Sequence, residues 1–157
     1  MAVAAGREHT VVVGEDGIVF SFGGNHAGGL GMSDNDTRRA PTRVAGLPAP
    51  VRQVAAGDIH TGMVTEAGDL LMCGDGWYGQ LGLGDKEDRT TPTLVERAVF
   101  DGEAVLMVAC GYEHTAAVTE GGGVYTFGRD KDGQLGHGDD DEEWKLAPKR
   151  VPAAGFR

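Results

Sequence analysis

The octapeptide "VAAGREHT" at residues 3–10 is the main basis for predicting the fold, because it recurs twice along the chain. The second copy is "VAAGDIHT" at residues 54–61 and the third is "VACGYEHT" at residues 108–115, which gives offsets of 51 and 54 residues. The glycine and histidine shared by the copies are Gly6 and His9, Gly57 and His60, and Gly111 and His114. Repetition at a fixed period of this size is typical of repeat architectures.

Two further sequence blocks also recur once in each copy. A Leu-Gly pair ends at Gly31, Gly82 and Gly136, and a segment containing proline lies at residues 40–44, 91–95 and 147–151. Three copies therefore fill the 157 residues as a single repeat domain, with repeat 1 at about 1–51, repeat 2 at about 52–105 and repeat 3 at about 106–157. Because the glycines of the Leu-Gly pairs recur at one phase, we expect backbone conformations there that a Cβ atom would strain.

Each copy reads as the same antiparallel unit. Short apolar runs such as Thr10 to Val13 and Ile18 to Phe22 flank a turn containing Gly17, and the 27 glycines of the chain suit many tight turns. Shorter strands at residues 3–5 and around residues 43–44 bring the unit to four strands. The sequence predicts an all-β fold of propeller blades.

Two local motifs suggest ligand sites, but the rest of the sequence supports neither of them. The stretch "GDGWYG" at residues 74–79 matches the dinucleotide fingerprint, but only its outer glycines persist in the other copies, and the residues that follow make a poor helix start. The stretch "DKDG" at residues 130–133 lacks the full spacing and the closing glutamate of a calcium loop. We expect no cofactor and no metal.

The repeat resembles the regulator-of-chromosome-condensation repeat. The resemblance rests on V-A-x-G-x-x-H-T, on "GIVFSFG" at residues 17–23 and on "GQLGLGD" at residues 79–85. It implies a β-propeller that typically has seven blades, whereas this chain supplies three. The chain is then a partial propeller within a longer one, or half of a homodimeric six-bladed ring, and we expect the homodimer.

The resemblance also implies activities that the residues can be tested for. One member type exchanges nucleotide on a small GTPase through a hairpin wedge, and the nearly even spacing of the blocks leaves no room for such an insertion. A photoreceptor type carries tryptophan in G-W-R-H-T motifs, where this chain has Arg7, Asp58 and Tyr112. We expect neither activity, and exchange on a small GTPase is kept as the alternative function.

Composition restricts the partners. A net charge of −10 disfavours binding to nucleic acid, and the longest apolar run, residues 104–110, is too short to span a membrane. Cys73 and Cys110 are too few for a disulfide framework, which suits an intracellular protein in the cytoplasm or the nucleus.

The three repeated histidines suggest a metal site, but blades that radiate from an axis separate equivalent positions by more than about 10 Å, too far for a shared zinc ion. We expect each histidine to bond a backbone carbonyl within its own blade. No serine, histidine and acid recur with catalytic spacing, so we expect no enzyme.

Loops that differ between the copies are the candidates for partner binding. An acidic run, lengthened relative to the other copies, precedes a tryptophan in the third copy, and the first copy has two arginines in the same loop. The candidates are Asp139, Asp140, Asp141, Glu142, Glu143, Trp144, Arg38, Arg39, Trp77 and Tyr78. The sequence predicts a non-catalytic scaffold for protein interaction whose partner is a protein, either basic or a small GTPase.

Overall fold

The protein forms three four-stranded antiparallel sheets in a computed structural model that describes residues 1–138 and 143–152. Blade 1 contains β1 (Ala2–Ala5), β2 (His9–Val13), β3 (Val19–Gly23) and β4 (Arg38–Arg43); blade 2 contains β5 (Val51–Ala56), β6 (His60–Thr65), β7 (Leu70–Gly74) and β8 (Arg89–Val95); blade 3 contains β9 (Val105–Cys110), β10 (His114–Thr119), β11 (Val124–Arg129) and β12 (Trp144–Arg150). Short 3₁₀ helices lie at His26–Gly28 and Arg97–Phe100. Sequential strands pair within each blade, so the all-β propeller architecture is confirmed.

The strands follow the repeat closely. The repeated histidine pairs with a glycine of the third strand in each blade, as His9 with Gly23 and His60 with Gly74. The hairpin turn between the second and third strands carries a glycine with positive φ, which is 75° at Gly17. The fourth strand differs from its prediction, because it begins at Arg38 after a register shift rather than near residue 43.

The hydrophobic core lies between the blades. One cluster joins Val11, Val13 and Val19 of blade 1 to Met63 and Leu71 of blade 2. A second cluster joins blade 2 to blade 3 and includes a tilted edge contact between Phe100 and Tyr125, with ring centroids 5.2 Å apart. Blade 2 is covered on both sides, and every residue of its two middle strands is buried. Apolar residues on both faces of those strands account for this burial.

The repeated histidines fasten each blade to the next one. His9 Nε2 lies 2.8 Å from Thr61 Oγ1, and the same contact joins His60 to Thr115 at 3.0 Å. The Thr61 hydroxyl donates to the carbonyl of Gly29, so its oxygen accepts the hydrogen bond from the imidazole. The prediction of a carbonyl partner within the same blade is therefore wrong for His9 and His60, whose partner is a hydroxyl of the following blade.

The position of the histidine ring explains why the motif has glycine three residues before the histidine. A Cβ atom on Gly6, Gly57 or Gly111 would overlap the ring of the histidine three positions later. Burial also keeps these rings neutral, since it lowers the pKa of His9 and lowers that of His60 to about 3.

The long loops β3–β4 of blade 1 and β7–β8 of blade 2 cross to the outer strand of the next blade. Ser33 N donates to the carbonyl of Thr90 at 2.8 Å, and Gly84 N donates to Leu146 in the following junction. Gly31, Gly82 and Gly136 have φ of 71°, 70° and 73°, which confirms the expected strain for a larger residue there. Among the described residues, no helix is long and apolar enough to cross a membrane.

Candidate interaction face

Two sets of loops meet at one end of the three sheets. In an antiparallel blade the turn after the first strand and the loop after the third strand lie at the same end. We call this end the loop face. It comprises the turns at residues 6–8, 57–59 and 111–113 and the loops at residues 24–37, 75–88 and 130–138, with Glu143. Buried side chains hold these loops. Asn25, for example, is 1% exposed, accepts from Leu30 N at 2.9 Å and donates to the carbonyl of Asp34 at 2.8 Å.

The residues between the repeated glycine and histidine form an arc on the loop face. Arg7 Nη1 lies 3.2 Å from Asp58 Oδ1 and 3.4 Å from the hydroxyl of Tyr112, so the first residue after the motif glycine comes together from all three blades. The hydrogen bond to Asp58 raises the pKa of Arg7 above its ordinary value. Tyr112 is 57% exposed, which leaves its ring available for contact.

A row of cations and aromatic rings crosses the boundary between blades 2 and 3. The guanidinium of Arg129 bonds Glu113 and stands 5.5 Å from the ring centroid of Tyr78. Tyr78 in turn lies 6.5 Å from Trp144, whose ring has Lys86 Nζ 3.7 Å above its centroid. Cations over aromatic faces stabilise such an arrangement.

A cleft of about 140 Å³ opens on this row. It is lined by Tyr78, Arg129, Lys131, Glu143 and Trp144. The lining combines two aromatic side chains with two cations and one carboxylate. In the described part of the chain, no group of three His, Cys, Asp or Glu side chains is placed to hold a metal ion.

The predicted candidates fall into two groups. Trp77 is 65% exposed in the β7–β8 loop of blade 2, and Tyr78 beside it is half-buried. Glu143 is exposed at the cleft. Asp139, Asp140, Asp141 and Glu142 lie outside the described residues.

The remaining candidates lie at positions that differ from the prediction. Arg38 and Arg39 belong to β4, and Trp144 begins β12, so none of the three lies in a loop as the sequence predicted. The fourth strand starts earlier than expected because Arg38 pairs with Gly23 and Trp144 pairs with Arg129. Arg38 is also engaged by Asp34 at 2.6 Å, an ion pair that Asp85 and Arg89 repeat in blade 2 at 2.7 Å.

Sequence reasoning missed Arg129 and Lys86 altogether. It placed Arg7, Asp58 and Tyr112 at one repeat position but drew no contact between them. The signal was available, since three dissimilar residues at an otherwise constant motif mark the variable part of a rigid repeat.

Four-stranded blades that pack side by side, with a histidine fastening each to the next, define a β-propeller repeat protein. The chain belongs to the family of the regulator of chromosome condensation (RCC1) repeat, whose models match residues 16–64 and 67–118 and, for a second model of that repeat, residues 2–28 and 108–134.

The chain matches only a part of each of its known relatives. The ultraviolet-B receptor UVR8 of Arabidopsis thaliana is 42% identical over 152 residues, which are 96% of this chain and 34% of the receptor. The X-linked retinitis pigmentosa GTPase regulator of Canis lupus familiaris is 37% identical over 136 residues, which are 85% of this chain and 13% of that protein.

Among solved structures, Prp20p of Saccharomyces cerevisiae superposes with a TM-score of 0.84 at 24% identity over 97% of this chain and 38% of its own. This likeness shows the fold. The chain spans about a third of the length of UVR8 and of Prp20p.

Proposed function

We propose that the protein is a non-catalytic module for protein interaction and that it binds its partner through the loop face. The observation that carries the proposal is the arc in which Arg7, Asp58 and Tyr112 of three blades meet on the loop face, which also carries the exposed Trp77. Aromatic and arginine side chains are the residues that dominate binding at protein interfaces.

The loop face is held in shape before any partner arrives. The β3–β4 and β7–β8 loops hydrogen-bond the outer strand of the next blade, and a buried polar residue such as Asn25 or Asp130 ties its loop internally. A rigid surface loses little conformational entropy when it binds. The affinity then comes from the side chains that differ between the blades.

We infer that the partner presents a basic segment. The supporting features are the acidic run at residues 139–143 and the net charge of −10. Opposite charge steers the encounter. The free thiols of Cys73 and Cys110 fit the proposal of an intracellular protein.

A peptide titration tests this proposal. Lysine-rich and arginine-rich peptides are titrated against the chain and against an Asp139→Ser, Asp140→Ser, Asp141→Ser variant, with a Leu94→Ser variant as control because Leu94 is exposed on β8 away from the loop face. We expect the triple variant to bind more weakly, with the largest difference at low salt, and the control to bind like the native chain. Equal affinity of the native and triple-variant chains across the salt series would contradict the basic-partner proposal.

A Trp77→Ser, Tyr112→Ser variant tests the loop face itself. Both side chains are largely exposed, so we expect folding to be retained and binding to fall at every salt concentration.

The second candidate is regulation of a small GTPase, and the relative named as a GTPase regulator favours it. Nucleotide release from a panel of small GTPases, measured with and without the chain, separates the two functions. Accelerated release that the Trp77→Ser, Tyr112→Ser variant abolishes would support the second candidate.

A further inference from the structure

A groove of about 650 Å³ lies at the end of the sheets opposite to the loop face. The turn between β2 and β3 forms one wall, since successive turns of an antiparallel blade alternate between its two ends. Residues 45–50, which connect blade 1 to blade 2, form the other wall. Val19 and Val44 line the groove and belong to the core between these two blades, so the groove is a feature of their junction and not of the outer face of blade 1 or blade 3.

The corresponding place at the next junction is filled by the chain itself. The connection from blade 2 to blade 3 has nine residues, 96–104, where the first connection has six. Both connections end in the same way, since Val51 N and Val105 N each donate to the glycine of the preceding hairpin turn. The longer connection forms the 3₁₀ helix at Arg97–Phe100.

Phe100 of that helix shows which apolar group fits this place. Its side chain is fully buried in one cluster with Leu70 and Val95, whose equivalents in blade 1 both line the groove. The short first connection supplies the partly buried Leu47 instead of an aromatic ring. The groove therefore offers an apolar base that an aromatic side chain covers in the next junction.

Arg97 of the same helix shows which charged group fits beside the ring. Its Nε lies 2.7 Å from Asp69 Oδ1, and its Nη2 donates to the carbonyl of Ala67, so it spans the gap between connection and hairpin turn. In blade 1 these two turn positions are Ile18 and Asp16, and both line the groove. The Asp16 carboxylate is exposed and, within the part of the chain that the structure describes, accepts only from Ile18 N at 3.1 Å.

We propose that this groove binds a turn of a partner protein in which an arginine stands three residues before an aromatic residue, in the manner of Arg97–Phe100. The ring covers Val19 and Val44, and the guanidinium meets the carboxylate of Asp16. Arg43 lines the groove as well and is exposed, so an acidic residue next to the ring also finds an opposite charge. This pair of charges favours a segment that carries both signs over a purely apolar one.

Fluorescence anisotropy of a labelled peptide tests the proposal. The peptide copies residues 96–102 with both ends capped and carries one arginine against two carboxylates, so it is not the basic segment that the loop face is proposed to bind. We expect saturable binding to the native chain. Ala45→Trp, at an exposed position in the wall of the groove, should weaken binding more than tenfold, and Ala40→Trp, exposed on β4 outside the groove, should bind like the native chain.

Changes in the peptide separate the two contacts. Phe100→Ala in the peptide should weaken binding more than tenfold, because the ring supplies most of the apolar contact. Arg97→Gln in the peptide should cost about threefold, as expected for an exposed ion pair. Asp16→Asn in the protein should cause the same loss for the original peptide and no further loss for the Arg97→Gln peptide. Glu15→Gln, at the exposed neighbouring position, is the matched control.

Four outcomes would overturn the proposal. They are an absence of saturable binding to the native chain, equal binding to Ala45→Trp, losses from Arg97→Gln and Asp16→Asn that add in full, and a loss in the Trp77→Ser, Tyr112→Ser variant, which would assign the peptide to the loop face. Light scattering excludes a further occupant, because a mass of the native chain that Ala45→Trp reduces would assign the groove to a second copy.

Discussion

At the scale of single residues, the motif glycine and its histidine act as one unit. Gly57 leaves the space that the ring of His60 occupies, and the ring reaches the hydroxyl of Thr115 in the next blade. The spacing of three residues between glycine and histidine follows from this geometry. Substitution of either residue therefore affects a junction between blades rather than a single strand.

The contact between His60 and Thr115 also shows which part of the role of His60 could be predicted from the sequence. The repeat revealed that His60 is structural, because three copies at one phase leave little room for a catalytic role. It did not reveal the partner, since Thr115 lies 55 residues away and belongs to a motif copy that looks self-contained. Contacts between repeats have no signature within one repeat.

The buried His60 should make stability depend on pH. Its pKa is about 3 in the folded protein and about 6.5 when unfolded, so the unfolded chain binds an extra proton between these values. The stabilisation is complete above about pH 6.5 and is lost as the pH falls toward 3. The slope approaches about 1.4 kcal/mol per pH unit for one proton.

Urea unfolding at pH 7 and at pH 5 measures this effect. His60→Gln should lower stability at pH 7 and flatten the loss between the two pH values, whereas His26→Gln, at an exposed position, should leave the loss unchanged. Parallel losses in the native protein and in His60→Gln would show that His60 contributes nothing to the pH dependence.

At the scale of elements, the loops between the third and fourth strands matter most, because they shape the loop face and those of blades 1 and 2 also link neighbouring blades. The sequence predicted strands one to three of each blade from their apolar runs. It placed the fourth strand too late and assigned Arg38 and Trp144 to loops, since the register shift opposite Gly23 and Gly128 extends the pairing into polar sequence. Polar outer strands give no hydrophobic signal.

Asn25 should be essential to the first of these loops. Asn25→Ala leaves the buried N–H of Leu30 without an acceptor, which costs about 1–3 kcal/mol in unfolding free energy. Asn25→Asp keeps that acceptor, as Asp130 does for Leu135 in blade 3, but it loses the bonds donated to Asp34 and places a carboxylate against that of Asp34. Thermal unfolding should rank the native protein above both variants. An Asn25→Ala variant as stable as the native protein would exclude the acceptor role.

At the scale of the whole molecule, the two junctions divide the core into two clusters that meet in blade 2. The sequence predicted this arrangement, because three copies of one unit must stack in order. It could not predict the cluster on the loop face, where Arg129, Tyr78 and Trp144 come from loops and strand ends far apart in the chain.

Hydrogen exchange should follow the order of the blades. Amides of β6 and β7 are buried on both sides, so they should exchange slowest, and amides of β4 and β12 at the outer edges should exchange fastest. Mass spectrometry of peptides covering residues 60–74 and 38–43 measures the difference. Faster exchange in blade 2 than in blades 1 and 3 would mean that the clusters do not stabilise it.

The histidine-threonine bond has a consequence for how such chains change in length over evolution. Both junctions use the same positions, so an in-frame duplication of one repeat, such as residues 52–105, would insert a blade whose two sides already fit their neighbours. No compensating substitution would be needed for the new unit to fold. A duplication of half a repeat would instead place a histidine opposite the wrong strand. Genes of this kind should therefore gain and lose sequence in whole repeats.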